Sequence, residues 1–526
     1  MNLFLKRKLN MNMKNIIRNI FLGGTAALML LSCDMNLVPT GSIVYDPNVP
    51  LLISENDVAS FQNGVMSSYR SLHYGGHYYT SELMCDGFNA VRGYGNNYGI
   101  IHKADASFTP SNQEVEGVWA SHYSAIKNYN IAISEADRVA EELKASAAIL
   151  KGTALFCRAS SYLTLVRHWA KPYSSENAQT PAVPLITVYD QFAVPVRATV
   201  QEVYNQIIQD LDLAEELLAE VPGKVRAQVP TIDAVYALKA RYYLDVQDYA
   251  SALDYADAVI SSDAGYRLAS SEADMHVEYT SEQGTEPIMQ LYSSKAEGLV
   301  GNTYYLHTSN DDYTKYFSPY YMPTKALVEA YDKSDLRFKV WYCLTDEAMT
   351  DASLTATQKP AYPLKVEGSY YGGVYVFQKY RGNVNLYDGA VENGAHSAKT
   401  LLISEMYLIA AEAAAMNGDE ATAKSFLNDL QKARQAVNTD GSMESVKKEW
   451  FRETVGEGMR LTCIKRWGDG LGERTEQDGA ENLVMSGPGF VERTLPANSH
   501  VFTWPIPTYE IQITPSLVQN PGYVSE

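Results

Sequence analysis

The stretch from Thr231 to Ser262 constrains the fold more tightly than any other. Ala234, Ala237, Leu238, Arg241 and Leu244 recur at helical spacing, Asp245-Val246-Gln247-Asp248 interrupts them, and Tyr249, Ala252, Leu253, Ala256 and Ile260 resume the period on a second face. Two amphipathic helices joined by a short polar turn, with alanines where the helices must approach closely, read as a tetratricopeptide-type hairpin. A similar unit returns where Met406, Ile409, Ala410 and Ala413 precede Asn417-Gly418-Asp419, and Ala423, Phe426, Leu427 and Leu430 follow. Helical spacing also links Val118, Trp119, Tyr123, Ile126, Tyr129, Ile133 and Ala136, and a further helix is expected from Ala145 to about Trp169. The reading is a mainly α chain whose hairpins are dispersed, not tandem.

Between the hairpins the character changes. Residues 266–399 are rich in Tyr, Gly, Asn and Asp and include the alternating Gly373-Val374-Tyr375-Val376-Phe377, so loops, short strands and short helices are expected there. Residues 71–101 read the same way, with Gly75-Gly76, Gly93, Gly95 and Gly99 among tyrosines. Such loops carry function more often than the elements they join.

At the N-terminus, Lys6, Arg7, Lys8, Lys14 and Arg18 precede a mostly apolar run ending at Leu30-Leu31-Ser32-Cys33. The run is too short to span a bilayer, and small Ser32 before a cysteine suits lipoprotein processing, so residues 1–32 are read as a signal peptide and Cys33 as the lipid-bearing mature terminus. Met11 and Met13 are alternative starts. Residues 33–50 are polar and proline-punctuated, as a tether would be, and 51–526 form the expected single domain.

Removing residues 1–32 takes away five basic and no acidic side chains, lowering the net charge from −19 to −24. A strongly acidic protein repels phosphate backbones and anionic lipid, which argues against nucleic acid as a partner. Cys85, Cys157, Cys343 and Cys463 form no CxxC pair and no zinc spacing. His73 and His77 are split by Gly75-Gly76, and Asn310-Asp311-Asp312 lacks the spacing of a calcium loop, so no metal or cofactor is assigned. There is no GxSxG elbow, no phosphate loop and no dinucleotide fingerprint; the reading is of a protein that is not an enzyme.

Several segments resemble the SusD/RagB-like family of bacterial surface lipoproteins, in order along the chain. Trp119, Tyr123, Ile126, Asn128 and Asn130 are similar to its early helix motif; Arg158-Ala159, Tyr162, Leu165, Val166, Pro181 and Val183-Pro184-Leu185 to its next element; and Glu405-Met406-Tyr407-Leu408 to a later helix. The C-terminal signature is the most specific: Glu449, Arg452, Glu453, Glu457-Gly458, Arg460, Lys465-Arg466-Trp467-Gly468, Trp504-Pro505-Ile506-Pro507, Glu510-Ile511 and Asn520-Pro521-Gly522-Tyr523. Leu461, Thr462 and Cys463 depart from the aromatic and acidic residues common there. The resemblance implies a scaffold of about four tetratricopeptide-like helix pairs bearing an irregular, loop-rich ligand face. It also implies an outer-membrane location and a SusC-like TonB-dependent transporter as partner, with oligosaccharide, or alternatively peptide, as ligand. Gly456 and Gly458 themselves read as a helix break, with Glu457, Arg460 and Arg466 as buried ion-pair residues.

A sugar site needs flat apolar faces for pyranose rings and polar groups at the rim for hydroxyls. The chain has 38 Tyr against 14 Phe and 6 Trp, a bias toward aromatics with a polar tip. One cluster is Tyr74, Tyr78, Tyr79, Tyr94 and Tyr98, with Asn89, Arg92, Asn96 and Asn97 as rim groups; a second is Tyr304, Tyr305, Tyr313, Tyr316, Tyr320 and Tyr321, with Tyr370-Tyr371 beyond. The expectation is that both line one shallow groove binding glycan. The competing readings are that individual tyrosines serve packing, and that the helices are a scaffold for a protein partner alone.

Overall fold

In the computed structural model, the described residues are 49–73, 76–190, 192–296, 306–308, 315–346, 362–386 and 394–524. Sixteen α-helices occur among them: α1 Glu55–Ser71, α2 Gly76–Met84, α3 Gly99–Lys103, α4 Gln113–Ala136, α5 Lys144–Trp169, α6 Val200–Leu218, α7 Ile232–Asp245, α8 Tyr249–Ile260, α9 Glu272–His276, α10 Lys325–Glu329, α11 Leu336–Trp341, α12 Ile403–Met416, α13 Glu420–Ala433, α14 Met443–Glu453, α15 Arg460–Trp467 and α16 Thr508–Ile513. Twelve short strands accompany them: β1 Phe88–Ala90, β2 Pro181–Pro184, β3 Arg197–Thr199, β4 Pro287–Gln290, β5 Leu306–Thr308, β6 Lys315–Phe317, β7 Tyr321–Pro323, β8 Tyr342–Leu344, β9 Leu364–Val366, β10 Ser369–Tyr371, β11 Tyr375–Phe377 and β12 Lys399–Leu402. Residues Leu52–Glu526 make one compact unit.

The helices start where side chains satisfy their free N–H groups. Thr231 accepts from Ala234 N, Asp248 from Ser251 N and Asp419 from Thr422 N, so each polar turn residue caps the helix after it. Thr199 and Glu202 form a reciprocal capping box on α6. The apolar stripes then bury Ala234, Ala237 and Leu238 of α7 with Ala252, Ala256 and Val259 of α8, and Met406, Ile409 and Ala410 of α12 with Ala423 and Leu427 of α13.

The chain is mainly helical, but the expected tetratricopeptide-like array of about four helix pairs is not there. Helices α4, α5, α6 and α7 pack in series at 24, 26, 19 and 14 residues, and α8 takes α12, from the far side of the chain, as a neighbour. The physical reason lies in the alanines that suggested the array: a small-residue stripe permits close approach to any antiparallel helix, whereas a repeat needs units of equal length presenting the same stripe in tandem. The two hairpins are unequal in surroundings and separated by the strand-bearing region, so no period propagates.

Trp119, Trp169 and Trp504 pack edge to face at 5.2 Å in the helical core. Trp169 Nε1 donates to Pro505 O at 2.8 Å, and Asn520 Nδ2 donates to the carbonyls of Trp169 and Trp504, closing the C-terminal segment onto α5. Smaller cores surround Phe88, Tyr321, Trp341 and Phe377, and Val91, Phe317, Leu364 and Val376. The strands pair as β1-β7, β2-β3, β4-β12, β8-β11 and the four-stranded β10-β9-β6-β5, with β6-β9 the parallel contact.

Candidate ligand-binding face

Strand β1 carries the first tyrosine cluster's flank and β7 the second's, and the two are hydrogen-bonded neighbours: Phe88 faces Pro323, Asn89 faces Met322 and Ala90 faces Tyr321. Val91 N continues the ladder to Tyr320 O at 2.9 Å. Residues 229 to 235 positions apart are thereby brought to one seam. Tyr321 Oη donates to Asn97 O at 2.5 Å, and its ring lies 5.9 Å from that of Tyr94.

The loop after β1 is wound tightly. Gly93 and Gly95 have φ of 82° and 66°, and Asn96 and Tyr98 share the left-handed region at 58° and 54°. A Cβ on Gly99 would lie 2.1 Å from Asn96 Oδ1, so any other residue there must displace the Asn96 side chain. Left-handed backbone at a bulky residue costs energy and persists where surroundings over-determine it. Here Asn97 Nδ2 donates to Tyr94 O at 2.7 Å and Tyr94 Oη donates to Asn96 Oδ1 at 3.0 Å, holding the turn from both sides.

This arrangement divides residues that look alike in sequence. Tyr79, Tyr94 and Tyr321 are buried, and burial pushes the Tyr94 and Tyr321 hydroxyls up. Asn89 is buried too, as a strand residue. Tyr98 is half-buried with its ring 6.1 Å from Tyr79, Tyr320 is 41% exposed, and Arg92 and Asn96 are exposed. Tyr79 lies on α2; Tyr78 lies on the same helix but its side chain is outside the described residues, as are Cys33, Tyr74, Tyr304, Tyr305 and Tyr313.

Arg92 Nη2 meets Glu367 Oε2 at 3.2 Å, linking the seam to the tip of the β9–β10 hairpin. That hairpin carries Tyr370, whose ring lies 6.0 Å from Tyr316 on β6, with Lys365 Nζ 4.5 Å from the Tyr316 centroid. Lys365 and Glu367 went unmarked in the sequence reading. The available signal was Glu367-Gly368, a two-residue turn between Leu364-Lys365-Val366 and Ser369-Tyr370-Tyr371. Chemically, the seam offers two partly exposed phenol rings, a guanidinium, a carboxylate and an amide. Among the described residues no group of three or more His, Cys, Asp or Glu could hold a metal ion.

A family model described as the SusD family matches residues 255–523, just over half of the chain. The chain belongs to the SusD family. A second model, described as starch-binding and associating with the outer membrane, matches residues 47–244. Among solved structures, a SusD superfamily protein from Bacteroides thetaiotaomicron VPI-5482 superposes with a TM-score of 0.69 at 22% identity, covering 88% of this chain and 99% of its own. A putative sugar binding protein from Bacteroides vulgatus ATCC 8482 gives 0.69 at 23%, covering 90% and 100%, and surface glycan-binding protein A from Bacteroides uniformis gives 0.66 at 18%, covering 88% and 99%. At these identities the likeness is one of fold. No curated protein matches the chain. The signature running from the end of α14 through α15 is ionic: Glu457 pairs with Lys379 at 2.8 Å, Arg460 with Asp86 at 2.8 Å and Arg466 with Glu412 at 2.8 Å.

Proposed function

We propose that this SusD-family chain is a surface glycan-binding lipoprotein that captures oligosaccharide and hands it to a SusC-like TonB-dependent outer-membrane transporter without chemical change. Cys33 carries the lipid, and residues 34–50 are the tether. The observation that carries the glycan reading is the β1–β7 seam, where Tyr320, Arg92 and Asn96 are exposed and Tyr98 is half-buried, while Tyr94 and Tyr321 are buried. Phenol rings supply faces for pyranose C–H groups, and the guanidinium and amide supply rim hydrogen bonds.

Support also comes from the family description as starch-binding and outer-membrane-associated, and from a structural neighbour described as a surface glycan-binding protein. Among the described residues no helix is long and apolar enough to cross a membrane. The test is isolation of the full chain from gently solubilised outer membranes. Co-purification of a TonB-dependent transporter, with no new reducing ends formed from oligosaccharide by the pure protein, is expected. Turnover abolished by mutating a carboxylate of this chain, or repeated isolation without any transporter, contradicts the proposal.

A further inference from the structure

A groove on the surface of the molecule has none of the seam residues in its lining. Asn63, Met66, Ser67 and Arg70 fall on one face of α1. Opposite them, Ala227 bridges to Met289 of β4 and Gln290 N donates to Ala227 O at 2.9 Å, so that Gln228-Val229 and Leu291-Tyr292 leave the paired backbone side by side. The open groove between these two segments and α1 has a volume of about 460 Å³. That falls within the range of clefts that hold small ligands, roughly 300–1,000 Å³.

Its chemistry is unusual for this chain. Tyr292 is 48% exposed, and Arg70 holds it in place: Nη1 donates to the Tyr292 carbonyl at 3.2 Å and the guanidinium lies 5.6 Å from the ring centroid. Met66, Val229 and Leu291 form an apolar floor, while Asn63, Ser67 and Gln228 offer both donors and acceptors. Among the described residues no carboxylate lines the space, although acidic residues outnumber basic ones by 62 to 43 in the chain. A fixed aromatic ring, an apolar floor, neutral amides matching hydroxyls and a guanidinium already engaged by the Tyr292 carbonyl suit a short neutral sugar chain, and do not suit a cation.

We propose that the groove between α1 and the Gln228–Val229 and Leu291–Tyr292 segments is a second glycan-binding site, for neutral oligosaccharide, independent of the Tyr98–Tyr320 seam. It takes the same class of ligand as the proposed function but does not depend on that seam. Either site can fail alone.

The test titrates maltohexaose, cellohexaose, xylohexaose and laminarihexaose calorimetrically into residues 34–526 of the wild type, Tyr98→Ala/Tyr320→Ala, Tyr292→Ala and the triple variant. Gln228→Ala, on an exposed loop, serves as a second probe of the groove, and circular dichroism checks that each variant folds. The expected result is that at least one hexasaccharide still binds Tyr98→Ala/Tyr320→Ala, and that adding Tyr292→Ala weakens this binding about tenfold or more. Binding lost wholly on Tyr98→Ala/Tyr320→Ala overturns the second site and leaves the seam intact. Binding that survives both sets of changes unaltered overturns the groove, and binding that depends on Tyr292 alone supports it while removing the seam. No binding of any probe to any form overturns it as well.

Discussion

Arg460 and Asp86 meet in a two-pronged ion pair, Nε to Oδ1 at 2.9 Å and Nη2 to Oδ2 at 2.8 Å, across 374 positions of sequence. One turn earlier, Glu82 accepts the backbone N–H groups of Gly456 and Gly458 at 3.1 and 3.2 Å, and both glycines have left-handed φ that points those N–H groups together. The C-terminal signature thus grips α2 and the segment leading into β1. Arg460→Ala is expected to destabilise the protein by about 2–3 kcal/mol, below the cost of breaking a fully buried pair because this one retains some solvent contact. Denaturant midpoints measure this, and a cycle with Asp86→Ala should show strong coupling between the two sites.

Glu82 itself should confer a pH dependence. Burial, only partly offset by the Gly456 and Gly458 N–H groups and by Arg460, pushes its carboxyl up from 4.5 to about 7. A carboxyl raised on folding contributes stability that is complete below the unfolded value and is lost as pH rises through the folded one. Between pH 4.5 and 7 the wild type is therefore expected to lose stability relative to Glu82→Gln, by on the order of 3 kcal/mol in full. Urea melts of both proteins at pH 5 and pH 8 measure the difference; equal shifts in the two would refute it.

Arg434 is the hub of a buried network, with Glu286 at 2.7 and 3.0 Å, Glu453 at 2.5 and 3.1 Å, and Ala269 O at 2.8 Å. Arg337 reaches the same Glu453 at 2.9 Å. Burial opposes ionisation of Glu453, yet Arg434 and Arg337 outweigh it and hold the carboxyl well below the usual range. Arg434→Met should cost about 3–5 kcal/mol at neutral pH, because it removes the cation paired with buried Glu286 and leaves buried Glu453 with Arg337 as its ion-pair partner. The depressed Glu453 contributes stability that is present above its unfolded value and lost as pH falls through the folded one, so the penalty should shrink in acid. Thermal melts at pH 7 and pH 4 measure both effects.

Much of this molecule was written locally. The two hairpins, the long helices from 113 and 144, and the ionic character of Glu457, Arg460 and Arg466 all follow from spacing and residue type. Their partners were not legible, because Lys379, Asp86 and Glu412 are chosen by tertiary approach and carry no local mark. The repeat array failed for a related reason: alanine stripes specify closeness, not which helix comes close. At the candidate site the difficulty was sharper. Tyr320 and Tyr321 are adjacent and chemically identical, but successive residues leaving a strand point to opposite sides, and the β1 pairing buries one and exposes the other. Tyr292 gave no cluster to notice.

In the proposed function, glycan is held at Tyr98 and Tyr320. This is tested most directly by comparing the affinity of one bound oligosaccharide for wild-type residues 34–526, Tyr98→Ala and Tyr320→Ala, with Tyr189→Ala as a control outside the seam. A loss of about tenfold is expected for each seam variant, with wild-type affinity for the control. Unchanged affinity in both seam variants, with the folds intact, would contradict it.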